Sequence, residues 1–266
     1  MQSITQRKKL RTIWISDVHL GTRGCKADSL LQFLRSYDCD TLYLVGDIID
    51  IWRLKKAWFW LQSHNDVILE VLRKAKRGTR IVYVPGNHDE GARDYCAMQL
   101  ANIHIVREEI HETLDGRKLW VIHGDEFDVV VKYAKWLAFL GDSAYQFALF
   151  LNHWFNEGRR HLGYGYWSLS AYLKSMVKDA VKYIDSFEQA LAEEASRRKL
   201  DGVVCGHIHR AEIREIGNVL YCNSGDWVES CTALAEDLHG CLHIIHWAAD
   251  QTRQLQVAKA GLAKAG

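Results

Sequence analysis

The chain has 266 residues, 48% of them apolar and 25% charged, enough for one large domain or a core with an added cap. Its 34 Lys and Arg nearly balance 33 Asp and Glu, leaving a net charge of +1, so no strong overall field draws in nucleic acid. No apolar stretch approaches the roughly 20 residues of a membrane span, and residues 1–11 lack the apolar run of a secretory signal.

From residue 11 to 122, apolar runs of strand length alternate with amphipathic stretches. Strands are expected at 12–16, 41–45, 81–84 and 119–122. Helices are expected at 28–37, which carries Leu30, Leu31, Phe33 and Leu34, at 66–77, and over 92–100. Such βαβ alternation predicts a largely parallel sheet covered by helices. Pro85, the only proline, ends the third strand and fixes φ before a tight loop. Residues 127–155 then read as one or two aromatic-rich helices, and a long helix is expected over 168–198. This block breaks the rhythm and reads as an inserted cap. Short strands return at 202–205, 211–216, 219–222, 232–235 and 241–247. The domain reading is a core of residues 1–126 and 200–250, a helical cap over 127–199, and a flexible tail at 251–266.

The seven cysteines are scattered and never form Cys-x-x-Cys, which reads as reduced thiols in a cytoplasmic protein rather than a disulfide frame. More informative are five polar clusters, each following one of the expected strands: Asp17-Val18-His19, Gly46-Asp47-Ile48-Ile49-Asp50, Gly86-Asn87-His88-Asp89, His123-Gly124-Asp125 and Gly206-His207-Ile208-His209. An open α/β sheet places its site where strands end. Together the clusters hold enough imidazoles and carboxylates for two adjacent metal ions. One alone would be an ordinary loop, since short motifs recur by chance.

All five, in this order, resemble the calcineurin-like metallophosphoesterase family, whose pattern is D-x-H, G-D-x-x-D, G-N-H-[DE], a later H, and G-H-x-H. The resemblance implies an α-β-β-α fold, a β-sandwich flanked by helices, with two metals at the strand ends. Carried over residue by residue, it gives Asp17, His19, Asp47 and His209 to one metal. Asn87, His123 and His207 go to the other, with Asp47 bridging. His88 matches the family's non-ligand histidine and is expected to protonate or stabilise the leaving oxygen. Asp50 and Asp89 are expected to orient ligand histidines, with loop capping the plainer alternative. Mixed carboxylate and imidazole ligands suit Mn²⁺, with Fe or Zn as alternatives.

Within the family, the Asp17-to-Gly21 opening, the long insertion between His123 and His207, and Gly225-Asp226-Trp227 look most like the UDP-2,3-diacylglucosamine pyrophosphatases of lipid A synthesis. That implies cleavage of a nucleotide-linked lipid pyrophosphate to UMP and an acylated sugar phosphate, at the inner face of the membrane and with peripheral association. Those enzymes typically carry arginine where this chain has His88, so a phosphodiesterase or phosphatase acting on another nucleotide or lipid phosphate is the alternative. Independently of the resemblance, the cap's aromatics interleave with cations, and Lys174 and Lys178, spaced i, i+4, would share one helix face at the basic mouth of an apolar slot. Packing of the cap onto the core is the competing reading of the aromatics. A noncatalytic scaffold would be expected to have lost ligands that are all present here.

Overall fold

Strands β1 (Lys8–Ile15), β2 (Tyr37–Val45) and β3 (Arg80–Val84) send alternate side chains into two separate cores, which is why their sequences read as continuous apolar runs. Ile13, Ile15, Leu42, Leu44 and Ile81 pack with the helices, whereas Trp14, Tyr43, Val45, Val82 and Val84 pack toward a second sheet. The computed structural model describes residues 7–127, 184–185 and 187–248. The chain falls into two compact units, residues 1–125 with 192–266 and residues 126–191, and both sheets belong to the first.

Helix α1 (Ala27–Ser36) buries Leu30, Leu31, Phe33 and Leu34, the helical spacing that identified it. Helix α3 (Gln62–Lys76) buries His64, Val67, Val71 and Ala75 on one stripe. Between them lies the short α2 (Ile51–Lys56), which buries none of its side chains. Each fully buried Leu or Phe contributes about 1.5–3 kcal/mol relative to exposure.

The remaining strands are β4 (Gln99–Leu100), β5 (Ile103–Ile105), β6 (Glu109–Glu112), β7 (Lys118–Val121), β8 (Gly202–Cys205), β9 (Glu212–Ile216), β10 (Val219–Asn223), β11 (Thr232–Glu236) and β12 (Leu242–His246). They form a seven-stranded sheet, β12-β11-β1-β2-β3-β5-β4, and a five-stranded sheet, β6-β7-β8-β10-β9. β1, β2, β3 and β5 run parallel, as do β7, β8 and β10. Two mixed sheets thus lie face to face with helices outside, the α-β-β-α arrangement that the resemblance implied, where the alternation by itself suggested a largely parallel sheet. Leu119, Val121, Val204 and Cys222 supply the second sheet's side of the shared core. A buried polar knot also joins the sheets: Glu236 on β11 accepts from Arg11 (2.7 Å), Thr12 (3.2 Å) and the Leu114 N–H (2.8 Å), and lies 3.0 Å from His111 Nε2 on β6.

The helix expected over 92–100 is also corrected. Residues Glu90–Tyr95 form a 3₁₀ turn with no buried side chain, so the segment has no apolar face to hold a longer helix. Arg93 pins the turn instead, donating to Pro85 O at 3.2 Å and to both Asp125 oxygens at 2.7 and 2.8 Å. The chain is helical over 187–197. The expected helices at 127–155 and over most of 168–198, with Lys174, Lys178 and the tail 251–266, lie outside the described residues. Among the described residues no helix is long and apolar enough to cross a membrane.

Candidate metal centre

Asp17 and His19 follow β1, Asp47 follows β2, and Asn87 and His88 follow β3; His123 follows β7, and His207 and His209 follow β8. β1, β2 and β3 are neighbours in one sheet, and β7 and β8 are neighbours in the other. The same edge of both sheets thus presents every candidate ligand. The glycines of the motifs are there because the site packs onto their backbone. A Cβ on Gly46 would strike the His123 ring, one on Gly86 would strike Asp47 and His123, and one on Gly206 would strike Asp17 and Ser16.

Three groups of side chains have potential donor atoms within 4.8 Å of one another: Asp17 with His19 and His209, Asp47 with His123 and His207, and His19 with Asp47 and His88. Asp47 belongs to the last two, and His19 links it to the first. Its Oδ2 is 3.8 Å from His19 Nε2, and its Oδ1 is 3.5 Å from His123 Nε2. On the far side Asp17 Oδ1 is 3.2 Å from His209 Nε2. The loops are tied by backbone bonds, from His207 N–H to Asp17 Oδ2 and from His88 N–H to Asp47 Oδ1, each 2.8 Å.

Asp17, His19, Asp47, His207 and His209 all adopt left-handed backbone angles, with φ between 51° and 69°. For a residue with a Cβ this costs about 1–2 kcal/mol, and such conformations collect at functional sites. Five in one cluster mean that side-chain direction here overrides backbone preference.

Ring orientation is set from outside the cluster. His123 Nδ1 lies 2.9 Å from Val45 O. A carbonyl can only accept, so Nδ1 carries the hydrogen and Nε2 is left facing Asp47. His19 Nδ1 lies 3.2 Å from Asp50 Oδ2, and His88 Nδ1 lies 2.9 Å from Asp50 Oδ1. Asp50 also accepts from the Arg53 N–H at 2.9 Å and caps α2. One carboxylate therefore makes the contacts of both readings that the sequence offered as alternatives.

The electrostatics are those of a site arranged for positive charge. Burial pushes the Asp17 carboxyl up, but the His209 and His123 imidazoles outweigh it and hold Asp17 below the usual carboxylate range. Asp47 is likewise buried and yet held low by His123, His19 and His88. Burial pushes His123 down, and Asp47 and Asp17 overcome this to raise it to about 10; His209 is raised against burial by Asp17. Protons on imidazoles supply the charge the carboxylates require, and divalent cations would replace them. Buried atoms fit the same reading, because His19 Nε2 and Asn87 Oδ1 have no hydrogen-bond partner among the described residues.

Other residues do different work from that expected. Among the described residues, Asp89 makes no hydrogen bond to a candidate ligand histidine ring. It accepts from the N–H groups of Gly86 (2.6 Å), Ile48 (2.7 Å) and Asp47 (3.2 Å) and from the Tyr83 hydroxyl (2.6 Å), and so locks two site loops together. Asp125 is engaged by Arg93. Gly225-Asp226-Trp227 supports Asp17 from below: the Trp227 N–H donates to Asp17 O at 3.1 Å, while Asp226 accepts from the Val228 and Glu229 N–H groups. Sequence reasoning misses Trp52, whose indole lies on the His88 ring at 4.5 Å between centroids. Its position two residues after Asp50 is the only signal the chain offers for it.

The profile of the family described as Calcineurin-like phosphoesterase matches residues 10–211. A UDP-2,3-diacylglucosamine hydrolase of Psychromonas ingrahamii is 24% identical over 217 residues, covering 78% of this chain and 84% of that protein. Its namesake in Shewanella halifaxensis is 24% identical over 247 residues, covering 85% and 94%. The one in Azotobacter vinelandii is 30% identical over 120 residues, covering 44% and 48%.

Proposed function

Because the chain belongs to the calcineurin-like phosphoesterase family and is a metal-dependent phosphoester hydrolase, we propose that it cleaves the pyrophosphate of a UDP-linked, doubly acylated sugar, at a centre of two divalent cations. Water adds to one phosphorus as the bridging P–O bond breaks, giving UMP and an acylated sugar phosphate. The observation that carries the two-cation reading is Asp47, buried between the Asp17–His19–His209 group and the His123–His207 group. The substrate reading is supported by the relatives named UDP-2,3-diacylglucosamine hydrolase, two of which align over 84% and 94% of their length.

In this reading Asp17, His19, Asp47 and His209 hold one cation, and Asp47, Asn87, His123 and His207 the other. Manganese fits the mixed oxygen and nitrogen donors best, with iron or zinc as alternatives. Cations bound there would supply Lewis-acid polarisation of a phosphoryl oxygen and neutralise charge in the transition state. Asp50 fixes the His88 ring through Nδ1, leaving Nε2, 3.9 Å from Asp47 Oδ2, to donate a proton to the departing oxygen. The reaction would take place on the cytoplasmic side, where reduced cysteines persist.

His88 also favours a second reading, hydrolysis of another nucleotide or lipid phosphodiester, since the diacylglucosamine enzymes typically carry arginine at its position. The deciding experiment offers purified protein with Mn²⁺ a panel of UDP-2,3-diacylglucosamine, cyclic nucleotides, dinucleotides and phosphomonoesters. Preferred release of UMP from the acylated substrate is expected. Turnover of other diesters with no UMP release would replace the first reading with the second.

A further inference from the structure

We propose that residues 51–77 form a docking surface for an anionic phospholipid bilayer, placed so that the metal centre sits against the lipid. Five of the ten exposed large apolar side chains among the described residues fall in this stretch: Trp58 (78% exposed), Leu61, Leu72, Leu69 and Trp52. Leu69 and Leu72 of α3 and Leu61 just before it recur at helical spacing and are exposed, so leucines face outward beside the stripe that α3 buries.

The charge on the same stretch is one-sided. It carries seven Lys and Arg against two acids, in a chain whose net charge is only +1. Of those acids, Glu70 is buried and paired with Arg73 and Arg77, and Asp66 is half-buried and accepts from Gln62. Arg53, Lys55, Lys56 and Lys76 are exposed and make no ion pair among the described residues. Tryptophan and leucine with flanking exposed cations match a bilayer interface, where aromatic rings sit at headgroup depth and basic residues meet anionic lipid. Two copies of such a surface would repel each other, and nucleic acid offers no apolar layer for the leucines.

Its place in the fold gives the surface a purpose. α2 begins at the residue after Asp50, whose carboxylate lies 3.2 Å from His19 Nδ1 and 2.9 Å from His88 Nδ1, and Trp52 of α2 lies on the His88 ring. A bilayer held by this stretch would bring membrane-resident substrate to the site, which suits the acylated-substrate reading, but the lipid contact can be tested without it.

The test sediments the full chain with vesicles of phosphatidylglycerol and phosphatidylcholine, and with phosphatidylcholine alone. Binding to the anionic vesicles that weakens with salt is expected, and the pairs Trp58→Ser with Leu61→Ser and Lys55→Gln with Lys56→Gln should each reduce it at least about ten-fold. Mn²⁺-dependent hydrolysis of the water-soluble bis(p-nitrophenyl) phosphate should be unchanged in both variants, which shows that they fold. No binding to anionic vesicles, or binding that both variants retain, would overturn the proposal. So would variants that alter only the oligomeric state of the free protein. Absence of UMP release from the acylated substrate would instead bear on the reaction and leave the vesicle result standing.

Discussion

Asp50 Oδ1 lies 2.9 Å from His88 Nδ1. The other oxygen of the same carboxylate lies 3.2 Å from His19 Nδ1, so one side chain sets the orientation of a candidate metal ligand and of the candidate proton donor. Asp50→Asn keeps the size and one acceptor but removes the charge. It should lower kcat and metal affinity by about 10–100-fold, while stability should change little, because asparagine still accepts from the Arg53 N–H and caps a helix as well as aspartate does. Steady-state kinetics against Mn²⁺ concentration, together with urea denaturation, check both. Unchanged kinetics would leave Asp50 only its capping role.

Asp89 makes the opposite prediction. It bonds backbone N–H groups of Gly86, Ile48 and Asp47, and Asp89→Ala would leave these buried donors without a partner. Each such orphan costs about 1–3 kcal/mol. The midpoint of urea unfolding should fall clearly, and Tyr83→Phe, which removes one neutral donor to the same carboxylate, should cost about 1 kcal/mol.

Glu236 tests the fold away from the site. Burial pushes its carboxyl up, but the bonds from His111, the Leu114 N–H and Arg11 hold it down at about 2. A depressed pKa contributes stability that is present above the unfolded value of 4.5 and is lost as pH falls toward 2. Glu236→Ala leaves Arg11 and His111 without their shared acceptor and should destabilise by about 3 kcal/mol. Calorimetry at pH 7 and pH 3 should show this difference shrinking in acid.

The pH dependence of the metal-free centre has the opposite sign. His123 is raised from 6.5 to about 10 by Asp47 and Asp17, against its burial. A raised pKa contributes stability that is complete below pH 6.5 and is lost as pH climbs through about 10. Protein treated with EDTA should therefore lose thermal stability between pH 7 and 10, while Mn²⁺-loaded protein should not follow that slope. Binding of Mn²⁺ at pH 7 should release protons, measured by calorimetry in buffers of different ionisation enthalpy. Equal slopes and a buffer-independent enthalpy would contradict the electrostatic account.

Much of this organisation was legible in the chain itself. Runs such as 41–45 are apolar because β2 is buried on both faces, and a polar cluster marks where each such run ends. The parts that could not be read depend on contacts distant in sequence. The turn at Glu90–Tyr95 is shaped by the Arg93–Asp125 pair, which spans 32 positions, so its local pattern wrongly suggested a helix. Asp89 was expected to work through histidines, because a motif names residues and not the atoms they meet. Strand β6, sequence Glu109–Glu112 with one buried side chain, His111, had no apolar run to reveal it. Its place comes from pairing with β7 and from the His111 contact with Glu236.

The most direct test of the central claim is anomalous scattering at the manganese edge from crystals of the full chain soaked in Mn²⁺. The account predicts two peaks about 3.5–4 Å apart, one on each side of Asp47, within reach of Asp17, His19 and His209 and of Asn87, His123 and His207. A single peak, or none at Asp47, would contradict it.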